Sequence, residues 1–272
     1  MRALVLTVSH EDVELASDAL WGLGVGAVEE RELDEDRVEL RTTVGDDDQS
    51  FVMAARSFPQ WGWRTEHVES TPVETWREFA EPVVVADSVM TIPAWMEGID
   101  VGEGRVGVRI EPGGSFGLGD HPTTRLALEH VVSAVGSRPG CRLLDVGCGS
   151  GVLAIAAVLL GAREARGLDV SSAAVEAARA NVERNGVSRR VRIDDTRAGE
   201  LDEVYDVVVA NILAPVLVGL ADDLRRLCAP GGLIVLSGIL DDRHDHVLAA
   251  LEPAEPIRSS VLDGWAGITL RR

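Results

Sequence analysis

The chain has 272 residues, room for one large domain or two modest ones, and 46% of them are hydrophobic, so it can bury a substantial core. Its net charge is −19 and all 26 basic residues are arginine, a balance that disfavours bare nucleic acid and favours a basic partner. Residues 1–10 do not read as a secretory signal, the longest apolar run (152–160) is too short to span a bilayer, and Cys141, Cys148 and Cys228 have neither disulfide nor zinc spacing; the expectation is a soluble cytoplasmic protein without a metal site.

Residues 3–8 are a strand by composition. Residues 10–22 are helical, with Val13, Leu15, Ala16, Ala19 and Leu20 as candidates for the buried face. Strands at 25–31 and 37–43 flank a polar turn. Asp46-Asp47-Asp48 opens a helix reaching about residue 58, a solvated start rather than a metal site, and 62–68 is a fourth strand. The order βαββαβ is the ferredoxin-like pattern and sets a small first domain at residues 1–70. Residues 71–100 read as an interdomain linker. In it Thr71-Pro72 opens a short helix carrying Trp76 and Phe79, Pro82 closes it, and 83–86 and 89–92 are β-like. Trp76, Phe79 and Trp95 read as packing between domains. Residues 101–272 form the second domain.

Its first motif is the loop Gly113-Gly114-Ser115-Phe116-Gly117-Leu118-Gly119-Asp120-His121-Pro122-Thr123-Thr124. Four glycines in seven residues make a tightly turned or mobile loop. Pro122 suits the first turn of a helix running to about residue 135. The loop is placed to fold over a ligand held by the following strand, bringing Phe116 and Gly117 to it. Thr124 sits near a helix start that favours anions. His121 reads better as a cap or packing residue than as a base.

The stretch on which the second domain turns is Leu143-Leu144-Asp145-Val146-Gly147-Cys148-Gly149-Ser150-Gly151. It is an apolar strand entering three glycines, followed by the apolar helix 152–160. Glycine at alternate positions permits a sharp turn and close approach of backbone N–H groups to a ligand, and the helix start adds partial positive charge. Strand, glycine turn and helix in this order make a nucleotide-binding first crossover. The dinucleotide pattern G-x-G-x-x-G fails, because Val152 occupies its last position, and Asp145 would repel a pyrophosphate. S-adenosylmethionine has no phosphate and carries an ammonium and a sulfonium, so an acid there is welcome. A second strand at 166–170 ends in Asp169, 22 residues after Gly147, where an acid accepts both ribose hydroxyls. Asp145 and Asp169 together favour S-adenosylmethionine over a nicotinamide dinucleotide.

Ser171-Ser172 then caps a helix to about residues 185–186, and 191–193 is a third strand. The run 206–211 is almost wholly apolar, as the middle of a parallel sheet requires, and delivers Asn211 at its carboxyl end, where open α/β sheets bind ligands. A helix at 215–227, a turn at Pro230-Gly231-Gly232, a strand at 233–237, a helix near 242–251 and a hairpin of 257–262 with 265–270 complete the chain. Asp241, Asp242, His244 and His246 form a solvated helix start rather than a metal site. The fold class is α/β: a seven-stranded Rossmann-like methyltransferase sheet behind a small N-terminal ferredoxin-like α+β domain.

With these residues placed, the chain resembles the ribosomal protein L-eleven methyltransferases, the PrmA family. The likeness covers essentially the whole chain and is carried by F-G-x-G-x-H-P-T-T from Phe116, L-D-V-G-C-G-S-G-V-L-A-I-A from Leu144, V-V-V-A-N-I-L-A ending at Ala214 and L-S-G-I-L ending at Leu240. It also shows in Trp76, Phe79, Pro82 and Gly264-Trp265. N-I-L-A separates it from the glutamine and adenine N-methyltransferases, which carry N/D-P-P-Y there. The resemblance implies that Thr124, Gly147, Asp169 and Asn211 contact S-adenosylmethionine; the glycine loop adds Asp145 and Gly149. It implies a small recognition domain, a linker and a catalytic domain, and a lysine-rich ribosomal protein as substrate, methylated on lysine ε-amines and the N-terminal amine. Leu118 and Asp120 replace usual threonines, and Ala214-Pro215-Val216 replaces a usual Ala-Gly-Pro; these departures bear on substrate preference more than on cofactor binding. No general base stands out, so Asn211 is the candidate catalytic residue, orienting the amine. The substrate is expected free before ribosome assembly, since so acidic an enzyme is repelled by RNA. An N-methyltransferase of the same build acting on another protein or a small amine, and a non-catalytic S-adenosylmethionine-binding assembly factor, stay open.

Overall fold

The computed structural model describes residues 2–21, 28–34, 36–42, 60–67, 80–112 and 117–272. By contacts the chain divides into two compact units, Met1–Phe79 and Ala80–Arg272.

In the first unit, β1 (Arg2–Ser9), β2 (Val28–Glu32), β3 (Arg37–Thr42) and β4 (Gly62–His67) form an antiparallel sheet in the order β2-β3-β1-β4. Alternation along β1 sends Leu4, Leu6 and Val8 to one face, where they meet Val38 and Leu40 of β3, Trp61, and Ala16 and Leu20 of α1 (Val13–Trp21). Leu15 was expected on that face and is 54% exposed instead. The buried stripe follows residues 13, 16 and 20, as helical geometry requires, and residue 15 falls outside it. The helix expected over 46–58 and the short helix carrying Trp76 and Phe79 lie outside the described residues.

The second unit takes in residues 80–100, read from sequence as part of the linker. Its β5 (Val83–Val85) and β6 (Val89–Pro93) pair antiparallel, and β6 pairs parallel with β7 (Val106–Ile110). The last strand is absent from the sequence reading, although Val106, Val108 and Ile110 alternate with Gly107 and Arg109. That glycine answers a steric demand: a Cβ there would lie 2.8 Å from Val101 and 3.2 Å from Ile92. The helix α2 (Pro122–Ser137) follows.

The central sheet has seven strands. They are β8 (Arg142–Val146), β9 (Glu164–Leu168), β10 (Val191–Asp194), β11 (Tyr205–Asn211), β12 (Cys228–Leu240), β13 (Glu255–Leu262) and β14 (Trp265–Arg271), in the order β10-β9-β8-β11-β12-β14-β13. The first five are parallel; β14 and β13 run antiparallel as a terminal hairpin. Between them lie α3 (Val152–Leu159), α4 (Ser172–Arg184), α5 (Ala214–Leu227) and α6 (Asp245–Ala250). Side-chain alternation splits the core into two layers. Leu143, Val207 and Val209 enter the layer with α2 and α3; Leu144, Val208 and Ala210 enter the layer with α5. The expected turn at 230–232 is absorbed into β12, which starts at Cys228 and jumps register against β11 between Tyr205 and Val207. The last helix is shorter than expected, because residues 242–244 form its approach.

Strand order reverses between β8 and β11. Neighbouring strands there send their connections to opposite faces, which opens a crevice at their carboxyl ends.

Candidate functional site

The crevice opens where Val146 of β8 pairs with Ala210 of β11. Gly147 leaves β8 with φ +73°, and a Cβ on it would lie 2.4 Å from Ile212. Gly238, with φ +83°, approaches the same residue from β12; its Cβ would lie 2.5 Å from the Ile212 carbonyl oxygen. Two glycines thus make room for the segment that follows Asn211. Asn211 itself ends β11, partly exposed, opposite Ser237.

The glycine loop closes on itself and on β9. Gly147 and Cys148 both donate N–H to the Leu168 carbonyl, at 2.8 and 2.9 Å, and Gly151 donates to the Cys148 carbonyl at 2.8 Å. Gly151 caps α3 in the left-handed conformation with φ +80°. Asp169 stands just past β9. Its Oδ2 accepts the Gly149 N–H and its Oδ1 the Ser171 N–H, each at 2.9 Å. An ionised carboxylate has about four acceptor positions, so two stay available to hydroxyl donors.

Asp145 lies beneath the loop, with none of its surface exposed. Its Oδ2 accepts the Ala154 N–H at 3.2 Å, while Oδ1 has no partner among the described residues. Burial raises its pKa to about 7; the Ala154 bond opposes the rise and the Asp169 charge adds to it. Thr124, in the first turn of α2, is also fully buried, and its Oγ1 likewise lacks a partner. The Ser237 hydroxyl donates to the Thr123 carbonyl at 2.9 Å and pins that turn beside the end of β11.

His121 caps α2: its Nδ1 accepts the Thr123 N–H at 3.3 Å and lies 2.8 Å from the Thr123 hydroxyl. Its ring meets Trp265 edge-on at 5.6 Å. Burial lowers its pKa against the opposing Asp120 charge, which keeps Nδ1 an acceptor. This is the capping and packing role expected of it. Phe116 lies outside the described residues. Gly117 has φ +104° and sits against the glycine loop, where its carbonyl accepts the Ser150 hydroxyl at 2.6 Å. Gly119 is held as tightly: a Cβ on it would lie 2.3 Å from the Thr91 hydroxyl.

The glycine loop, Asp169 and Asn211 therefore converge on one crevice, with Asp145 and Thr124 buried behind it. Among the described residues no group of three His, Cys, Asp or Glu could hold a metal ion, and no helix is long and apolar enough to cross a membrane. His244, from the acidic cluster near α6, lies with Nδ1 2.7 Å from the Asp241 carbonyl oxygen, as in a helix-start turn.

Residues 2–272 match the family model described as ribosomal protein L11 methyltransferase (PrmA). The chain belongs to the PrmA family.

Relatives of that name include one from Pseudomonas putida (strain GB-1), 36% identical over 297 residues that cover 98% of this chain and 97% of the relative. Another, from Citrifermentans bemidjiense, is 36% identical and covers 88% of this chain and 80% of its own length. The crystal structure of a ribosomal protein L11 methylase from Lactobacillus delbrueckii subsp. bulgaricus superposes with a TM-score of 0.65 at 28% identity, covering 71% of this chain and 99% of that one.

Two buried polar residues of this PrmA chain escaped the sequence reading. Asp194, at the end of β10, accepts two bonds from the Arg166 guanidinium, both at 3.1 Å. Burial works against its charge, but the bonds from Arg166 and Thr196 outweigh burial and hold its pKa at about 2. Asn181 of α4 is fully buried and donates to the Ser150 carbonyl at 2.9 Å. The available signal was its spacing: Asn181 and Asn185 lie four residues apart, on one helix face.

Proposed function

We propose that this chain transfers methyl groups from S-adenosylmethionine to ribosomal protein L11, on lysine ε-amines and the N-terminal α-amine. The observation that carries this reading is the crevice at the β8/β11 reversal, where the glycine loop, Asp169 and Asn211 meet in a chain of the PrmA family. The donor set fits the cofactor. Asp169 sets a carboxylate at the crevice, and Asp145, buried behind it, gains its charge as pH rises through about 7. Such a pocket suits an ammonium and a sulfonium and opposes a pyrophosphate.

When bound, the cofactor would supply a methyl group on a sulfonium, which a neutral amine takes in line: the nitrogen–carbon bond forms as the carbon–sulfur bond breaks and a neutral thioether leaves. The free acceptor positions of Asp169 take the ribose hydroxyls. The loop from Gly147 to Gly151 lines the crevice with backbone. Asp145 and Thr124 support that lining from beneath, each with one oxygen left for a donor. A lysine amine has a free pKa of about 10.4, so the site must desolvate it or let its proton leave to water. The Asn211 carboxamide oxygen accepts an N–H of the neutral amine and aims its lone pair at the methyl group. Orientation of this kind is worth up to roughly 7–11 kcal/mol. The first unit, read as a ferredoxin-like domain, recognises the protein substrate.

The test is methyl incorporation from labelled S-adenosylmethionine into purified L11, with the modified amines located by mass spectrometry. The same assay on assembled large subunits, across a salt series, tests the preference for the free protein. A chain charged −19 attracts a basic target. That attraction is screened over about 8 Å at physiological ionic strength. Higher kcat/KM on free L11, falling with salt, is expected. Cofactor binding without transfer to L11 points instead to another substrate or to a non-catalytic role.

A further inference from the structure

Asn181 belongs to α4 and does not stand at the strand ends that form the crevice, yet every hydrogen-bonding atom of its amide reaches another residue. Nδ2 donates to the Ser150 carbonyl at 2.9 Å and to the Glu111 carbonyl at 3.0 Å. Oδ1 accepts the Glu111 N–H at 2.9 Å and a bond from the Arg184 guanidinium. One turn later Asn185 does the same to the neighbouring stretch of chain. Its Oδ1 accepts the Arg109 N–H at 2.9 Å, and its Nδ2 donates to the Arg109 carbonyl at 2.7 Å. Two side-chain amides thus pair with alternate residues, Arg109 and Glu111, much as an adjacent strand would. Asn185 Nδ2 donates as well to the Asn181 carbonyl at 2.8 Å, within its own helix end, whereas of the pair Asn181 alone binds the glycine loop.

The residue it binds there needs holding. Ser150 lies between Gly149, with φ +51°, and Gly151, with φ +80°. Glycines on both sides leave its peptide groups free to rotate unless something fixes them. The Ser150 hydroxyl is fixed on the Gly117 carbonyl; of the Ser150–Gly151 peptide, the N–H is held by the Cys148 carbonyl and the carbonyl by Asn181. We propose that Asn181 is a positioning residue for the cofactor site: it sets the orientation of the Ser150 peptide, and with it the backbone that the glycine loop presents to S-adenosylmethionine. This rests on the function proposed above and adds a residue to it, with Asn185 as an internal control. Replacing either asparagine strips two bonds from the strand-like pairing, but only replacing Asn181 also removes a bond to the glycine loop.

The experiment compares full-length wild type, Asn181→Ala and Asn185→Ala by calorimetric titration with S-adenosylmethionine and by thermal unfolding. Both variants should lower Tm by similar amounts. Asn181→Ala should weaken cofactor binding about tenfold or more, against less than about twofold for Asn185→Ala. With cofactor at saturation kcat should recover, so the Asn181 defect appears in KM for S-adenosylmethionine. If Asn181→Ala does not fold, Asn181→Asp takes its place. It keeps the acceptor for the Glu111 N–H and loses the donation to Ser150, and the same loss is expected. Equal affinities in the two folded variants would overturn the proposal while leaving the methyltransferase reading intact. Wild type that binds no S-adenosylmethionine would overturn both.

Discussion

Gly149 donates its backbone N–H to Asp169 Oδ2 at 2.9 Å, so the tip of the glycine loop and the acid that follows the next strand form one unit. The carboxylate therefore has two tasks. It fixes the loop, and it offers its remaining lone pairs to the crevice.

Replacing it removes both. Asp169→Ala should weaken S-adenosylmethionine binding by about 1.5–3 kcal/mol, the range for hydrogen bonds to a charged group. Calorimetry on the folded variant checks this, and unchanged affinity would remove Asp169 from the site.

Gly147 and Ile212 make a second linked pair. Gly147→Ala should destabilise the protein by more than the roughly 1–2 kcal/mol cost of a left-handed non-glycine residue. The added Cβ would also lie 2.4 Å from Ile212 Cγ2. Trimming the partner with Ile212→Ala in the same chain should recover part of the loss. Urea midpoints of the two single variants and the double variant give the coupling, and strictly additive effects would show that the contact is not limiting.

Asp145 ties function to pH. Its folded pKa stands at about 7 against an ordinary 3.8, chiefly through burial. The folded chain holds this proton more tightly than the unfolded chain does. The group's contribution is therefore fully present below about pH 4 and is lost as pH rises through about 7. Asp145→Asn, which carries no charge, should raise Tm of the cofactor-free protein at about pH 8 and gain progressively less as pH falls below about 7. The same change should weaken cofactor binding, since a negative charge leaves the pocket. Unfolding scans from about pH 5 to about pH 9 follow the first effect. A gain that does not vary with pH would show that Asp145 does not titrate in this range.

The division into units predicts a separation of roles. A fragment starting at Ala80 contains every described residue of the crevice. It should bind S-adenosylmethionine about as well as the full chain and methylate intact L11 about tenfold more slowly or worse. Transfer to L11 at the full rate would show that the first unit does not recognise the substrate.

Local chemistry made much of this protein legible in its sequence. The glycine turn after Asp145, the apolar run ending at Asn211 and the terminal hairpin around Asp263-Gly264 are specified by neighbours within a few residues. Hydrophobic period and turn preference therefore find them without a fold. The alternation of strands and helices likewise announces a parallel sheet, and the acid 22 residues after Gly147 follows from one crossover length.

Tertiary structure decided what depends on partners far away in the chain. Leu15 looks as apolar as its neighbours, and the sheet decides which stripe of α1 is covered, that of residues 13, 16 and 20, leaving residue 15 exposed. Only the packing shows that Val101 and Ile92 crowd the place a Cβ would take at Gly107. Gly238 must be a glycine because of Ile212, and Asn181 matters because Ser150, 31 residues earlier, comes within 2.9 Å of it. A sequence shows the residue types and their local periods. It does not show which backbone will come close enough to exclude a Cβ or accept a hydrogen bond, because those approaches exist only once the layers have packed.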